Sequence, residues 1–355
     1  MNRILVSSLA ILLAACGGDD TTAPAAMDDA TASTDAAEVK ELNLYSSRHY
    51  DTDLALYDGF TERTGIKINL IEAGADELIE RILAEGEFSP ADVLVTVDAG
   101  RLWRAEEAGV LQPVASDVLT ERLPASLQHP DGLWFGLSTR ARVIIYNKAA
   151  GKPEPLATYA DLADPAHKGA VCIRSSSNIY NISLMASIVA RDGVEAAETW
   201  ASGVVDNFAR TPQSNDTGQI RSVATGECQI AVVNTYYLAR LASSEDPADR
   251  AVAEAVVPVF PNQDTTGTHI NISGAGVVRG APNKDHAIRF LEYLTEEDAQ
   301  GYFANGNNEY PAVSGVAGSS AVVALGEFKK DDLNASLLGQ HQAEAIMVFD
   351  RAGWQ

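Results

Sequence analysis

Leu133 to Lys148 read LWFGLSTRARVIIYNK, two strand-like apolar runs with no helix-length segment between them. On both sides the chain keeps a different rhythm. Upstream, LNLYSS, KINLIEA and ADVLVTV read as strands, each followed by a helical pattern: DLALYDGFTERTG closed by Gly65, DELIERILAEG, and GRLWRAEEAG. In the second helix Leu78, Ile79, Ile82 and Leu83 fall on one side, and Glu77 and Arg81 have the spacing of an i,i+4 ion pair. Downstream the alternation resumes through AVCIRS, ISLMASIVARDG, GVEAAETWASGVVDNFA, TGQIRSVATG and CQIAVV. After an irregular, Pro-containing VVPVFPNQDTTG come INISGAGVV and the helical HAIRFLEYLT. This grammar predicts an α/β fold with largely parallel pairing. The break in rhythm at 133–148 predicts two sheet-centred units with two crossings between them, rather than one continuous sheet.

The whole-chain numbers are compatible with that division. A chain of 355 residues that is 46% hydrophobic can bury more than one core. Its net charge of −23 excludes nucleic acid as a partner, since neutralising phosphates needs a basic face. The start is a short basic Met1-Asn2-Arg3 and the apolar run ILVSSLAILLAA, too short to span a bilayer as a mature helix. It ends in Leu13-Ala14-Ala15-Cys16, the pattern of a lipoprotein signal (residues 1–16) whose cysteine is lipidated; the alternative is an ordinary signal peptide with small residues before its cleavage site. Either way the chain is exported, and a lipid on Cys16 would anchor it to a membrane without spanning it. Residues 17–40, small, acidic and without aromatics, read as a disordered tether. The remaining cysteines, Cys172 and Cys228, lie outside the cytoplasm on this reading, as a disulfide or as two buried thiols.

Ligands of α/β folds bind beyond the carboxyl ends of the strands. After LNLYSS come Arg48-His49-Tyr50-Asp51, after AVCIRSSSN come Ile179-Tyr180-Asn181, and after CQIAVVNT come Tyr236 and Tyr237. A phenol is neutral at pH 7, so a cluster of phenols is a poor general base. A trivalent hard cation changes this, because its charge favours deprotonated oxygen ligands; Fe³⁺ is the abundant candidate. Four phenolates on Fe³⁺ leave one negative charge for Arg240 or Arg140 to offset, and a helix after the tyrosine pair would turn Arg240 back toward it. His49 is placed to ligate, to hydrogen-bond a phenolate or to face solvent. An organic cation such as a polyamine is the rival guest, using the rings as faces. No Gly-x-Ser-x-Gly elbow, phosphate-binding glycine loop or His-Glu-x-x-His run points to an enzyme.

The segments LYSSRHYDTD, RARVIIYNK, RSSSNIYN, GVVDNFARTPQSNDTGQIRSVATGEC, IAVVNTYYLARL and NNEYP, in this order from about Glu41 to the C-terminus, closely resemble the periplasmic ferric-iron-binding proteins of ATP-driven (ABC) importers. The resemblance implies the two-lobed type II periplasmic-binding-protein fold, each lobe a mixed sheet flanked by helices, with residues 41–138 plus 264–313 as lobe 1 and 139–263 plus 314–355 as lobe 2. It implies Fe³⁺ held by Tyr50, Tyr180, Tyr236 and Tyr237, with His49 a ligand in part of the family. It implies a monomer that docks on an ABC permease in the inner membrane. One branch of the family adds a glutamate in a Thr-Glu-Gln segment and a bound anion. The corresponding residues here are Thr96-Val97-Asp98, so the resemblance is to the tyrosine-rich branch that needs no added anion.

Overall fold

The stretch that opens the sequence reading is one strand. Phe135–Asn147 runs unbroken for 13 residues, because nothing in it supplies a turn: its single glycine, Gly136, marks only an irregularity in register. The computed structural model describes residues 40–213 and 215–355; the signal segment with Cys16 and nearly all of the tether lie outside the described residues. Along the chain the strands are β1 Glu41–Ser46, β2 Lys67–Glu72, β3 Val93–Val97, β4 Leu111–Gln112, β5 Phe135–Asn147, β6 Val171–Cys172, β7 Ile230–Asn234, β8 Val256–Val259, β9 Ile270–Val278 and β10 Tyr310–Pro311.

The long strand β5 belongs to two sheets. Phe135 to Ala141 pair antiparallel with β9, which continues to β3, β1 and β2. Arg142 to Tyr146 pair antiparallel with β7, which is parallel to β6, and Ile144 to Asn147 pair with β8 on the other side. The sheet change therefore falls between Ala141 and Arg142. The chain returns from β8 to β9, and a third passage follows β10, which pairs with Ser138 and Thr139 of β5. Pairing is mixed, not largely parallel: every partner of β5 and β9 runs antiparallel. The side chains of β5 alternate as a strand buried on both faces should, with Val143 and Ile145 entering one apolar cluster and Ile144 the other. The second cluster is built from Ile144, Val171, Ile173, Ile230 and Val232 with the helices Ile179–Asp192, Val194–Asp206 and Gln342–Ala352. The glycines of β9 allow its close approach to the Leu133–Phe135 backbone, since a Cβ on Gly274 or Gly276 would stand 2.6 or 2.5 Å from a carbonyl oxygen there.

Several local readings change. VVPVF was expected to be irregular, yet Val256–Val259 form β8; Pro258 is tolerated because β8 is an edge strand bonded only to β5. In the helix Ala75–Glu85, Leu78, Ile79 and Ile82 are buried but Leu83 is exposed, because it lies about 140° around the helix from Leu78. The expected Glu77–Arg81 pair does not form. Arg81 Nε donates to Glu85 at 2.7 Å, while Glu77 accepts from the Gly74 amide at 3.2 Å and so satisfies an orphan donor of the helix start. Gly65, with φ 70°, closes the helix Asp53–Thr64.

Cys172 and Cys228 are disulfide-bonded, with Cα atoms 5.9 Å apart across 56 residues of chain. The bridge ties β6 to the residues that lead into β7, at the end of β7 away from Tyr236 and Tyr237. Chain-entropy arguments give a loop of this length about 4 kcal/mol of stabilisation. Replacing both cysteines with serine should lower the unfolding free energy by roughly 2–4 kcal/mol in urea titration; an unchanged midpoint and slope would contradict it.

Candidate functional site

Each tyrosine singled out in the sequence sits where a strand or loop hands over to a helix. Tyr50 precedes the helix Asp53–Thr64, Tyr180 lies in the first turn of Ile179–Asp192, and Tyr236 and Tyr237 open Thr235–Ala242 directly after β7. Asn178 caps the second of these helices, its side chain accepting from the Tyr180 amide at 3.2 Å. The partial positive charge of a helix N-terminus favours anionic oxygen, so this placement suits phenolates better than neutral phenols.

The structure brings the four phenols together. The Tyr236 hydroxyl donates to the Tyr180 hydroxyl at 3.2 Å, and the rings of Tyr236 and Tyr237 lie 4.2 Å apart, tilted by 30°. Tyr50 is close enough for its charge to act on Tyr236 and for that of Tyr180 to act on it. Burial first, then the negative charge of Glu309, pushes the Tyr50 phenol up to about 12, against the pull of Arg48. Burial and the neighbouring phenols Tyr180, Tyr237 and Tyr50 hold Tyr236 well above the usual phenol range, and burial and Tyr180 raise Tyr237. Without a cation Tyr50, Tyr236 and Tyr237 are therefore protonated at neutral pH. Among the described residues no three His, Cys, Asp or Glu side chains gather to hold a metal. A cation at this cluster would have to be held mainly by phenol oxygen.

Guanidinium groups surround the phenols. Arg240 is exposed and its helix does turn it back, placing Cζ 5.7 and 5.8 Å from the Tyr236 and Tyr237 ring centres. Arg140 is buried with Cζ 5.9 Å from the Tyr180 ring; it donates to Ser273 at 2.9 Å, but its Nε and Nη2 have no partner among the described residues. Sequence reasoning missed two more: Arg174, 5.1 Å over Tyr180, and Arg48, 4.9 Å over Tyr50. It also missed the carboxylates that hold them. Asp216 accepts from Arg142 at 3.3 Å and Arg174 at 3.5 Å, and Glu309 accepts from Arg48 at 3.1 Å, Ser138 at 2.6 Å and Ser273 at 3.2 Å. Burial works against the charge of Glu309, but Arg48 and Arg140 hold it below the usual carboxylate range. The signal was available for Arg142, a charge set inside the apolar strand β5, and for Glu309 in NNEYP, where a solvated role is hard to sustain; Arg48, Arg174 and Asp216 follow strands or open a helix and carry no such mark. His49 is exposed beside Tyr50 and makes no hydrogen bond among the described residues.

A family model described as bacterial extracellular solute-binding protein matches residues 55–330. The chain belongs to the bacterial extracellular solute-binding proteins. This solute-binding protein is 53% identical to iron uptake protein A1 of Synechocystis sp. over 344 residues, 97% of this chain and 93% of that protein. It is 25% identical to the major ferric iron-binding protein of Neisseria meningitidis over 329 residues, 91% of this chain and 95% of the other. Its fold superposes on the structure of Trichodesmium FutA (IdiA) in complex with iron and citrate ligands with a TM-score of 0.87, at 57% identity, covering 89% of this chain and 100% of that one. The type II periplasmic-binding-protein fold is thus shared from the solute-binding protein's first strand to its C-terminal helix.

Proposed function

We propose that this solute-binding protein captures Fe(III) between its lobes through Tyr50, Tyr180, Tyr236 and Tyr237, and delivers it to the permease of an ABC importer in the inner membrane. It acts as a binding protein rather than an enzyme. The observation that carries this reading is the convergence of phenols from separate helix starts, with Tyr236 and Tyr180 already 3.2 Å apart and arginines around them. The relatives named for iron uptake and ferric iron binding support the choice of ion.

The chemistry follows from charge. The trivalent ion supplies the field that ionises phenols held neutral by burial, so each ligand phenol gives up a proton on binding. Four phenolates around Fe³⁺ sum to −1, which Arg240 at the rim and Arg140 beneath Tyr180 offset. His49, one residue from Tyr50 and exposed, is the remaining donor that could complete the shell. Lobe 1 (41–138 plus 264–313) would bring Tyr50, and lobe 2 (139–263 plus 314–355) the other three, so the full shell exists only when the lobes close. The packing of Gln342–Ala352 against Ile179–Asp192 and Val194–Asp206 supports that assignment of the C-terminal segment. The protein would work as a periplasmic monomer, tethered through a lipid on Cys16 after loss of the signal peptide.

Adding ferric citrate to the purified protein should produce a phenolate-to-iron charge-transfer band in the visible, with bound iron confirmed by metal analysis. A colourless protein without bound iron would reject the reading and return the site to an organic cation, a guest that the surrounding arginines disfavour. The sign of the pH effect is fixed. Because binding releases protons, acid favours the metal-free form, and Tyr50, held near 12, is readily reprotonated. The band should fade and iron leave as pH falls into the mildly acidic range. A band that stays constant through that titration would contradict tyrosinate ligation.

A further inference from the structure

Asp98, one residue past Val97 and at the end of β3, carries a carboxylate that is already engaged. It follows β3 and caps the helix Ala99–Glu107 with a positive φ of 82°, uncommon for a residue with a side chain, and it is fully buried. Its carboxylate is saturated by donors from three directions. Oδ1 accepts from the Gly100 amide at 2.9 Å and from the Ser183 hydroxyl at 2.7 Å, and Oδ2 accepts from Asn271 Nδ2 at 2.8 Å. Asn271 in turn accepts from the Ala99 amide at 2.9 Å, which fixes its orientation.

Two of these donors belong to the neighbourhood of Asp98 itself: Gly100 is two residues on, and Asn271 lies on β9, the strand paired with β3. Ser183 does not. It sits in the helix Ile179–Asp192, whose Ile182, Leu184, Met185, Ala186 and Val189 pack in the second apolar cluster, whereas Val93, Leu94 and Val95 of β3 pack in the first. Ser183 is also one turn beyond Tyr180, at the i,i+3 spacing that puts two side chains on neighbouring positions of a helix face. The bond therefore joins the end of a strand beside β1, which leads to Tyr50, to the helix that presents Tyr180.

We infer that the Asp98–Ser183 hydrogen bond is a closure latch: it forms when the two lobes come together and sets where Tyr180 stands opposite Tyr50. The inference rests on the ferric-binding reading, which it deepens. In an open molecule water would satisfy both groups, so the bond favours closure only when the cleft is shut and dry. The carboxylate is thus engaged in holding the ligand-bearing helix instead of facing the ion.

The test uses the full chain. Iron release to a chelator is followed by the visible band, and melting temperature is measured with and without iron, for wild type, Ser183→Ala, Ser183→Thr, Asp98→Asn and the Asp98→Asn/Ser183→Ala pair. A hydrogen bond to a charged acceptor corresponds to about a factor of ten to a hundred in an equilibrium constant. Ser183→Ala should release iron roughly tenfold faster or more and shrink the upward melting shift that iron gives, with the metal-free melting temperature unchanged. Ser183→Thr, which keeps the hydroxyl, should restore slow release. In the pair, the two effects should fall short of the sum of the single ones. The latch is overturned if Ser183→Ala releases iron at the wild-type rate, or if its metal-free form loses as much melting temperature as its loaded form, the mark of ordinary packing. A wild-type protein that gives no band would bring down the ferric reading, and the latch with it.

Discussion

Tyr237→Phe should weaken ferric binding by on the order of a hundredfold or more and displace the visible band, while leaving the fold intact. Removing a hydrogen-bonding partner outside a metal's ligand sphere already costs about 10–100-fold; deleting an anionic oxygen donor to a trivalent ion should exceed it. The substitution is clean because phenylalanine keeps the ring. The contact with Tyr236 at 4.2 Å and the packing under Arg240 survive, and only the oxygen is lost. The metal-free variant should therefore melt close to wild type, which separates lost ligation from lost structure. Competitive titration against a chelator of known ferric affinity gives the magnitude. If Tyr237→Phe holds iron as tightly as wild type with the same spectrum, Tyr237 is not a ligand and the assignment of the pair fails.

Glu309→Gln should destabilise the protein by about 3–5 kcal/mol, the usual result of removing one member of a buried ion-pair network. Arg48, Arg140 and Glu309 are all nearly inaccessible to water, and the carboxylate lies between the two guanidinium groups. Asp53 still pairs with Arg48 at 2.7 Å in the variant, but Arg140 loses its only carboxylate within 4 Å among the described residues. The effect on iron should have the opposite sign. Glu309 is one of the charges that raise Tyr50, so without it the site becomes more positive and the Tyr50 phenol ionises more easily. Chemical denaturation should show the loss of stability, and an acid titration of the loaded variant should show iron retained to a lower pH than in wild type. A variant as stable as wild type would mean that the network contributes little to the fold.

Much of this organisation is legible in the residues, and the rest is hidden for identifiable reasons. The strand and helix alternation from Glu41 onward is strong where a helix ends on its own stop signal, as at Gly65, Gly193 and Gly226. The phenols could be found because their neighbours are local: each follows the end of its strand within eight residues. The residues around them could not. Arg48 and Glu309 meet across 261 positions, and Arg142 and Asp216 across 74, distances over which no pattern in the chain announces a partner. The pairing of Arg81 with Glu85 rather than Glu77 turned on a competing backbone donor at Gly74, which spacing rules do not weigh. The length of β5 was misread for a related reason. A strand that leaves one sheet and enters another changes its neighbours midway, and the sequence shows this as two runs.

That shared strand makes the two sheets mechanically continuous. A nick between Ala141 and Arg142 would leave each part of the strand with its own partner, Phe135 to Ala141 on β9 and Arg142 to Tyr146 on β7, yet it would sever the rail that aligns them. The passages from β8 to β9 and after β10 would then have to keep the halves in line unaided.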